Sequence, residues 1–139
     1  MHYSAAGDET ACDKGTCVVN GVQKGGISVK EITDEYMQEM IARTKVYCIV
    51  ILKAGPKRTM AGAEKIVWEH ARRNFSLRAE GELSIVCPVA DGSDICGIGI
   101  FDADGVKVRL VMDEDPGVKA GIFIYEIHTC KGFPGDFLP

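Results

Sequence analysis

One histidine and one aspartate are the residues of this sequence best suited to proton transfer. His70 lies in a segment of helical apolar spacing, in one row with Ile66 and Asn74. Asp115 directly precedes Pro116, which pushes the aspartate into an extended conformation after a second helical segment. A carboxylate that accepts from one imidazole N–H fixes the tautomer and raises the basicity of the ring. If the two side chains meet, the other ring nitrogen can take or give a proton.

Both residues also have an ordinary structural interpretation. A histidine on the flank of an amphipathic helix is commonly a partly buried side chain, and an aspartate before proline is commonly a turn residue. Spacing alone favours the structural interpretation for His70. Asp113 and Glu114 are neighbouring carboxylates more typical of a solvated face. The functional interpretation of His70 and Asp115 predicts a nitrogen-to-carboxylate distance of about 2.6–3.2 Å, or one bridging water, at the mouth of a cleft.

A few other polar and aromatic residues could line such a cleft. Tyr47 and Ser84 could supply polar groups for substrate binding, and Trp68 could pack or line the pocket. Glu126 and His128 share one side of the last strand, where an exposed or interface pair is favoured over a metal site. The sequence has no phosphate-binding glycine loop and no recognisable nucleophile motif. We therefore expect no cofactor and no metal.

The cysteines do not form a convincing metal or redox motif. Cys12 and Cys17 are spaced more loosely than a zinc knuckle, and no second Cys/His pair accompanies them. A tail or a small surface hairpin is the favoured interpretation of that segment. Cys48, Cys87 and Cys96 lie in apolar strand-like runs, where reduced cysteines behave as small hydrophobic groups.

Composition and charge limit the partners. The chain has 139 residues, a hydrophobic fraction of 46% and a formal net charge of −4, without any Lys/Arg block. This balance gives no electrostatic reason to expect nucleic acid or an anionic membrane as a partner. The longest apolar run, Val46–Leu52, is too short to span a bilayer, and no secretory signal opens the sequence. A cytoplasmic location is the expectation.

Periodicity predicts the order of the elements. Ser28 and Glu31 form a capping box that predicts an N-terminal helix over residues 28–44, after a loosely ordered extension over 1–27. Apolar and β-branched runs predict strands at 46–52, 83–89, 95–101 and 121–128. Helices are predicted at about 61–80 and 104–114, the second with Val106, Leu110 and Val111 inward. An irregular tail covers 131–139.

This order predicts an α+β protein of the ferredoxin-like βαββαβ type. Its four-stranded antiparallel sheet has helices on one face only, so the other face needs cover. Ile49, Ile51, Ile98 and Ile124 are among the apolar strand residues spread over both faces. A second copy of the sheet is the predicted cover, which makes the chain a homodimer.

Residues 45–130 resemble the YciI-like (YCII-related) family. The first strand and its loop match, the helix histidine stands at His70, and the most diagnostic stretch begins at Asp115. A departure is Cys87, which replaces the usual glycine before Pro88. The matching segments, in chain order, are 47–56, 68–70, 80–88, 97–101 and 115–123.

The resemblance implies a dimeric α+β barrel with a His–Asp pair, His70 and Asp115, in a cleft. One branch of the family removes chloride from a chlorinated hydroquinone, and the related muconolactone isomerases share the barrel shape. This implies acid–base chemistry on a small organic molecule, as in a lyase or an isomerase. The alternatives are a non-catalytic module that binds a small molecule and a structural dimer.

Overall fold

The computed structural model describes residues 30–139. Strands form where β-branched and apolar residues cluster, and helices form where apolar residues recur at helical spacing. The elements, in chain order, are α1 (Asp34–Ala42), β1 (Lys45–Ala54), α2 (Ala63–Ala79), β2 (Leu83–Pro88), β3 (Ile95–Phe101), α3 (Gly105–Asp113), α4 (Pro116–Lys119) and β4 (Phe123–Gly132). The short helix α4 was not predicted.

The four strands form one antiparallel sheet in the order β2-β3-β1-β4. This order places the first and third strands at the centre, as in the split βαβ arrangement. The α+β, ferredoxin-like fold predicted from the sequence is therefore confirmed.

Alternate residues of the central strands point toward the helices and form the core. On β1, Cys48, Val50 and Leu52 are buried, and their partners on β3 are Phe101, Gly99 and Gly97. The helices contribute further buried apolar groups: Leu77, Val108 and Met112. The core thus lies between one face of the sheet and the helices.

The opposite face of the sheet, which we call the open face, bears the other set of alternate residues. The isoleucines predicted for both faces, Ile49, Ile51, Ile98 and Ile124, all belong to this set. Ile98 and Ile124 remain 38% and 51% exposed. Among the described residues, no helix packs over these side chains.

The N-terminal helix starts later than predicted. Helix α1 begins at Asp34, and Thr33 is its N-cap, with the Thr33 hydroxyl accepting from the amide of Tyr36. Residues 30–33 are not helical, so the predicted start at Ser28 is wrong, although Ser28 itself lies outside the described residues. Two capping residues five positions apart offered competing starts, and the second one caps the helix.

The inward face of α3 also differs from the prediction. Val106 and Leu110 are 74% and 65% exposed, whereas Val108 and Met112 are buried. A nine-residue helix with apolar groups on several sides does not define one stripe.

The predicted extension over 1–27 and the Cys12/Cys17 segment lie outside the described residues. Within 30–139, none of the helices has the length and apolarity needed to cross a membrane.

Candidate active site

Helix α2 presents His70 to the sheet. Its buried residues are Ala63, His70 and Leu77, spaced at seven-residue intervals along one side. The imidazole ring packs against Phe123 of β4, with ring centroids 4.8 Å apart. This contact favours one orientation of the imidazole ring.

The short helix α4 holds Asp115. Asp115 is the N-cap of α4, in the extended conformation expected before Pro116. One carboxylate oxygen, Oδ1, accepts from the amides of Gly117 at 2.9 Å and Val118 at 3.1 Å. A side chain at Gly117 would overlap the Phe123 ring, so the close approach of α4 to β4 requires glycine there.

His70 and Asp115, which are 45 residues apart in sequence, meet in a buried hydrogen bond. The Nδ1 atom of His70 lies 2.7 Å from Oδ2 of Asp115. Because a carboxylate only accepts, Nδ1 carries the hydrogen and donates it. Asp115 is 1% exposed and His70 is 9% exposed. The predicted contact between the two side chains is confirmed; a role in catalysis remains a prediction.

The second imidazole nitrogen contacts Asn74. The Nδ2 atom of Asn74 lies 3.0 Å from Nε2 of His70, one helical turn further along α2. With the hydrogen on Nδ1, Nε2 has a lone pair and accepts from the amide. Sequence analysis placed Asn74 in the row of His70 but assigned it no role. Their four-residue spacing was the signal that could have identified this contact.

Several groups hold the Asp115 carboxyl in its ionised form. Burial by itself would raise the pKa of Asp115. The hydrogen bond and charge of His70, together with the amides of Val118 and Gly117, lower this pKa by more than burial raises it. The net result is a pKa below the usual value. Arg73 adds a cation, with Nη1 3.9 Å from Oδ2. That buried nitrogen has no hydrogen-bond partner among the described residues.

His70 and Asn74 line a cavity of about 590 Å³ between α2 and the sheet. That volume is within the usual range of small-molecule sites, about 300–1,000 Å³. Most of its wall is apolar: the lining includes Val50, Leu52, Leu83, Val86, Phe101 and Phe123. Its polar side chains are Arg58, Thr59, His70, Asn74 and Ser93. Sequence analysis did not identify Arg58, Thr59 or Ser93.

The residues predicted to bind substrate do not line this cavity. Trp68 is 67% exposed on α2 and is not among the residues that line this cavity. Ser84 is exposed on β2, and Tyr47 lies on the open face of β1. His128 and Glu126 also lie on the open face, 3.5 Å apart and exposed. Their substrate or interface roles stay predictions.

Comparisons with known proteins add little to the site. No protein-family model and no curated protein matches the sequence. Among solved structures, the chain is similar to 5-chloro-2-hydroxyhydroquinone dehydrochlorinase (TftG) from Burkholderia phenoliruptrix, in complex with 2,5-dihydroxybenzoquinone. The TM-score is 0.41 with 19% identity, over 60% of this chain and 91% of that chain. The assignment of the fold rests on the strand order and pairing, and the YciI-like family stays a prediction.

Proposed function

We propose that this chain is an enzyme that uses His70 as a general base and acid on a small organic molecule in the cavity. The observation that supports the proposal is the imidazole on the cavity wall, whose Nδ1 donates to a buried, ionised carboxylate. That arrangement leaves the only lone pair of the ring on Nε2, within the cavity lining. It is the arrangement that proton transfer requires.

A proton shuttle through Nε2 accounts for both predicted reaction types. Nε2 removes a proton from a substrate carbon next to an electron-withdrawing group, and the imidazolium formed is stabilised by the Asp115 carboxylate. In an isomerisation the same proton returns to another carbon. In an elimination, such as a dehydrochlorination, the electron pair of the broken C–H bond forms the double bond, and the leaving group departs with its own pair. The proposed enzyme is thus an isomerase or a lyase of the YciI-like family.

Asn74 would position the reacting nitrogen in both protonation states. Its Nδ2 donates to Nε2 when the ring is neutral. Once Nε2 carries a proton, the amide oxygen becomes the favourable partner, which a rotation of the amide group supplies. To react, substrate must displace this amide from Nε2, so Asn74 is a positioning residue.

The test is a screen in deuterated water. Wild-type protein is incubated with a panel of cyclic enones, lactones and chlorinated hydroquinones, and proton NMR follows loss of carbon-bound hydrogen while chloride release reports elimination. For any compound turned over, His70→Ala should reduce kcat by about 10²–10⁴-fold. Asn74→Ala should change KM or kcat by a smaller factor than His70→Ala changes kcat.

Arg72→Gln is the matched control on the same helix. Arg72 is exposed and pairs with Glu69, so its variant should keep wild-type kcat. A turnover that survives His70→Ala undiminished would refute the proposed role. Circular dichroism must show that the variants remain folded.

We infer further that two copies of the chain pack their open faces together. The isoleucines of the open face support this, because no helix within residues 30–139 covers them and apolar side chains on a sheet need cover from water. Lys53 and Glu126 on the same face neutralise each other in an ion pair 2.5 Å long. A second identical face, with the same apolar set, is a suitable occupant.

Sedimentation velocity at micromolar concentration tests the dimer. Wild type should sediment as a dimer, and Ile51→Lys should dissociate or unfold it, because burying an unpaired charge is costly. Val106→Lys is the control, since Val106 is 74% exposed on α3, away from the sheet. A monomeric wild type would contradict the inference.

A non-catalytic binding protein is the second candidate function. The observation that favours it is that both imidazole nitrogens already have partners, Asp115 on Nδ1 and Asn74 on Nε2. A fully satisfied histidine is also what a rigid binding pocket would use. Tight binding of panel compounds without any turnover would support this candidate over the enzyme.

A further inference from the structure

The charges around the cavity point to one class of ligand. Arg58 and His70 are the side chains on its wall that can be positively charged, and no aspartate or glutamate lines it within residues 30–139. The chain as a whole has a net charge of −4. The sign of the cavity wall is therefore opposite to that of the molecule, which favours anions inside it.

Within the part of the chain that the structure describes, Arg58 has no carboxylate partner. Half of the lysines and arginines within residues 30–139 pair with carboxylates, and Arg58 belongs to the other half; the paired ones are Arg43, Lys45, Lys53, Arg72, Arg73, Lys107 and Lys119. Within residues 30–139 no carboxylate lies within salt-bridge distance of Arg58. Its guanidinium instead lies 5.6 Å from the centre of the Phe123 ring, a cation–π contact. Such a contact leaves the N–H donors of the guanidinium available for a ligand.

The backbone that bears Arg58 is anchored. The amide of Gly55 donates to Ile122 O at 2.8 Å, and that of Lys57 donates to Gly121 O at 2.9 Å. A Cβ at Gly55 would lie 2.5 Å from Gly121 O, so only glycine allows this approach. The loop after β1 is thus fixed against the segment between α4 and β4, next to the site.

The Phe123 ring is close to both His70 and Arg58. Its centroid lies 4.8 Å from the centroid of the His70 imidazole and 5.6 Å from the Arg58 guanidinium carbon. The two centroid distances limit the separation of guanidinium and imidazole to roughly 10 Å, so one ring compound can contact both groups. The remaining wall is mostly apolar and suits the body of such a compound.

We propose that the cavity binds small ring compounds that bear an anionic oxygen group, such as a carboxylate or a phenolate, and that Arg58 binds this group. The apolar wall then holds the ring, and the opposite end of the compound reaches Nε2 of His70. This inference rests on the proposed function of the same cavity and names its substrate class. Arg58 is the residue that selects for charge.

Binding of benzoate and benzamide, measured by calorimetry, tests the proposal without any need for turnover. The two probes share shape and differ in charge. Wild type should bind benzoate more tightly than benzamide. Arg58→Gln should weaken benzoate about tenfold or more, as expected for loss of a charge-assisted pair, and leave benzamide unchanged. Arg58→Lys should give an intermediate loss, since lysine keeps the charge but not the planar donor pair.

Lys57→Gln is the matched control, because Lys57 is the adjacent cation and does not line the cavity. It should bind benzoate as wild type does. Equal affinities for the two probes, an equal loss in Lys57→Gln, or no benzoate binding at millimolar concentration would overturn the proposal. His70-dependent turnover confined to neutral compounds would overturn it while the enzyme proposal stood. Arg58-dependent benzoate binding without turnover would support it while the enzyme proposal failed.

Discussion

Replacing Asp115 by asparagine should destabilise the folded protein far more than its size suggests. The carboxylate is 1% exposed and uses both oxygens: Oδ2 accepts from His70 at 2.7 Å, and Oδ1 accepts from two amides of α4. Asparagine keeps one oxygen, which can still cap α4. Its NH₂ group then faces the N–H of His70, so that two donors meet where a donor met an acceptor.

The magnitude follows from the bonds that are lost. A hydrogen bond to a charged group contributes about 1.5–3 kcal/mol, and the helix cap about 1 kcal/mol. Asp115→Asn loses the first and keeps the second, so we expect a destabilisation of about 1.5–3 kcal/mol. Asp115→Ala loses both, which gives about 2.5–4 kcal/mol. In Asp115→Asn, His70 could avoid the clash of two donors by moving its hydrogen from Nδ1 to Nε2. The new Nε2–H would then face the NH₂ group of Asn74, and the Asn74 amide would have to rotate to accept from it.

Urea denaturation followed by circular dichroism measures the effect. At equal protein concentration, Asp115→Asn should unfold at a lower urea midpoint than wild type. The slope of the free energy of unfolding against urea concentration should stay the same. Glu114→Gln is the control: this neighbouring carboxylate pairs with Lys119 on the surface, where an ion pair contributes little. A free energy of unfolding of Asp115→Asn within about 0.5 kcal/mol of wild type would refute the assigned role of the buried carboxylate.

Three further predictions concern other parts of the described structure and the N-terminal segment. Gly117→Ala should lower the free energy of unfolding by about 1–3 kcal/mol, because the new methyl group would overlap the Phe123 ring. Gly105→Ala is the control, since there is room for a methyl group at that position. Urea midpoints compare the two variants. The lowered pKa of Asp115 means that its contribution is complete above the ordinary value of 3.8 and is lost as pH falls through the native value. The difference in the free energy of unfolding between wild type and Asp115→Asn should therefore become smaller as the pH is lowered. A difference that does not change with pH would contradict the lowered pKa of Asp115. Deleting residues 1–27, which lack an apolar stripe in sequence, should leave the melting temperature nearly unchanged in calorimetry, and a large drop would show that the segment docks.

Much of the fold was predictable because its signals are local. The strand β3 was predicted with its observed bounds, and Asp115 was predicted to be extended because proline restricts the residue before it. Helix faces were less predictable. The apolar spacing of α2 did not define its buried side, and only packing on the sheet shows that His70 and Leu77 are buried while Trp68 and Phe75 are exposed.

The sequence by itself determined the order of the four strands and of the helices other than α4, and with it the α+β class, because backbone periodicity and chain-breaking residues act within a few positions. It also determined that His70 and Asn74 share one helix face. Only the tertiary structure decided that Asp115 meets His70, that Arg58 lies over Phe123, and that Tyr47 and Ser84 lie away from the cavity. Those contacts depend on how sheet, loop and helix ends pack across tens of residues, and no local pattern encodes that geometry.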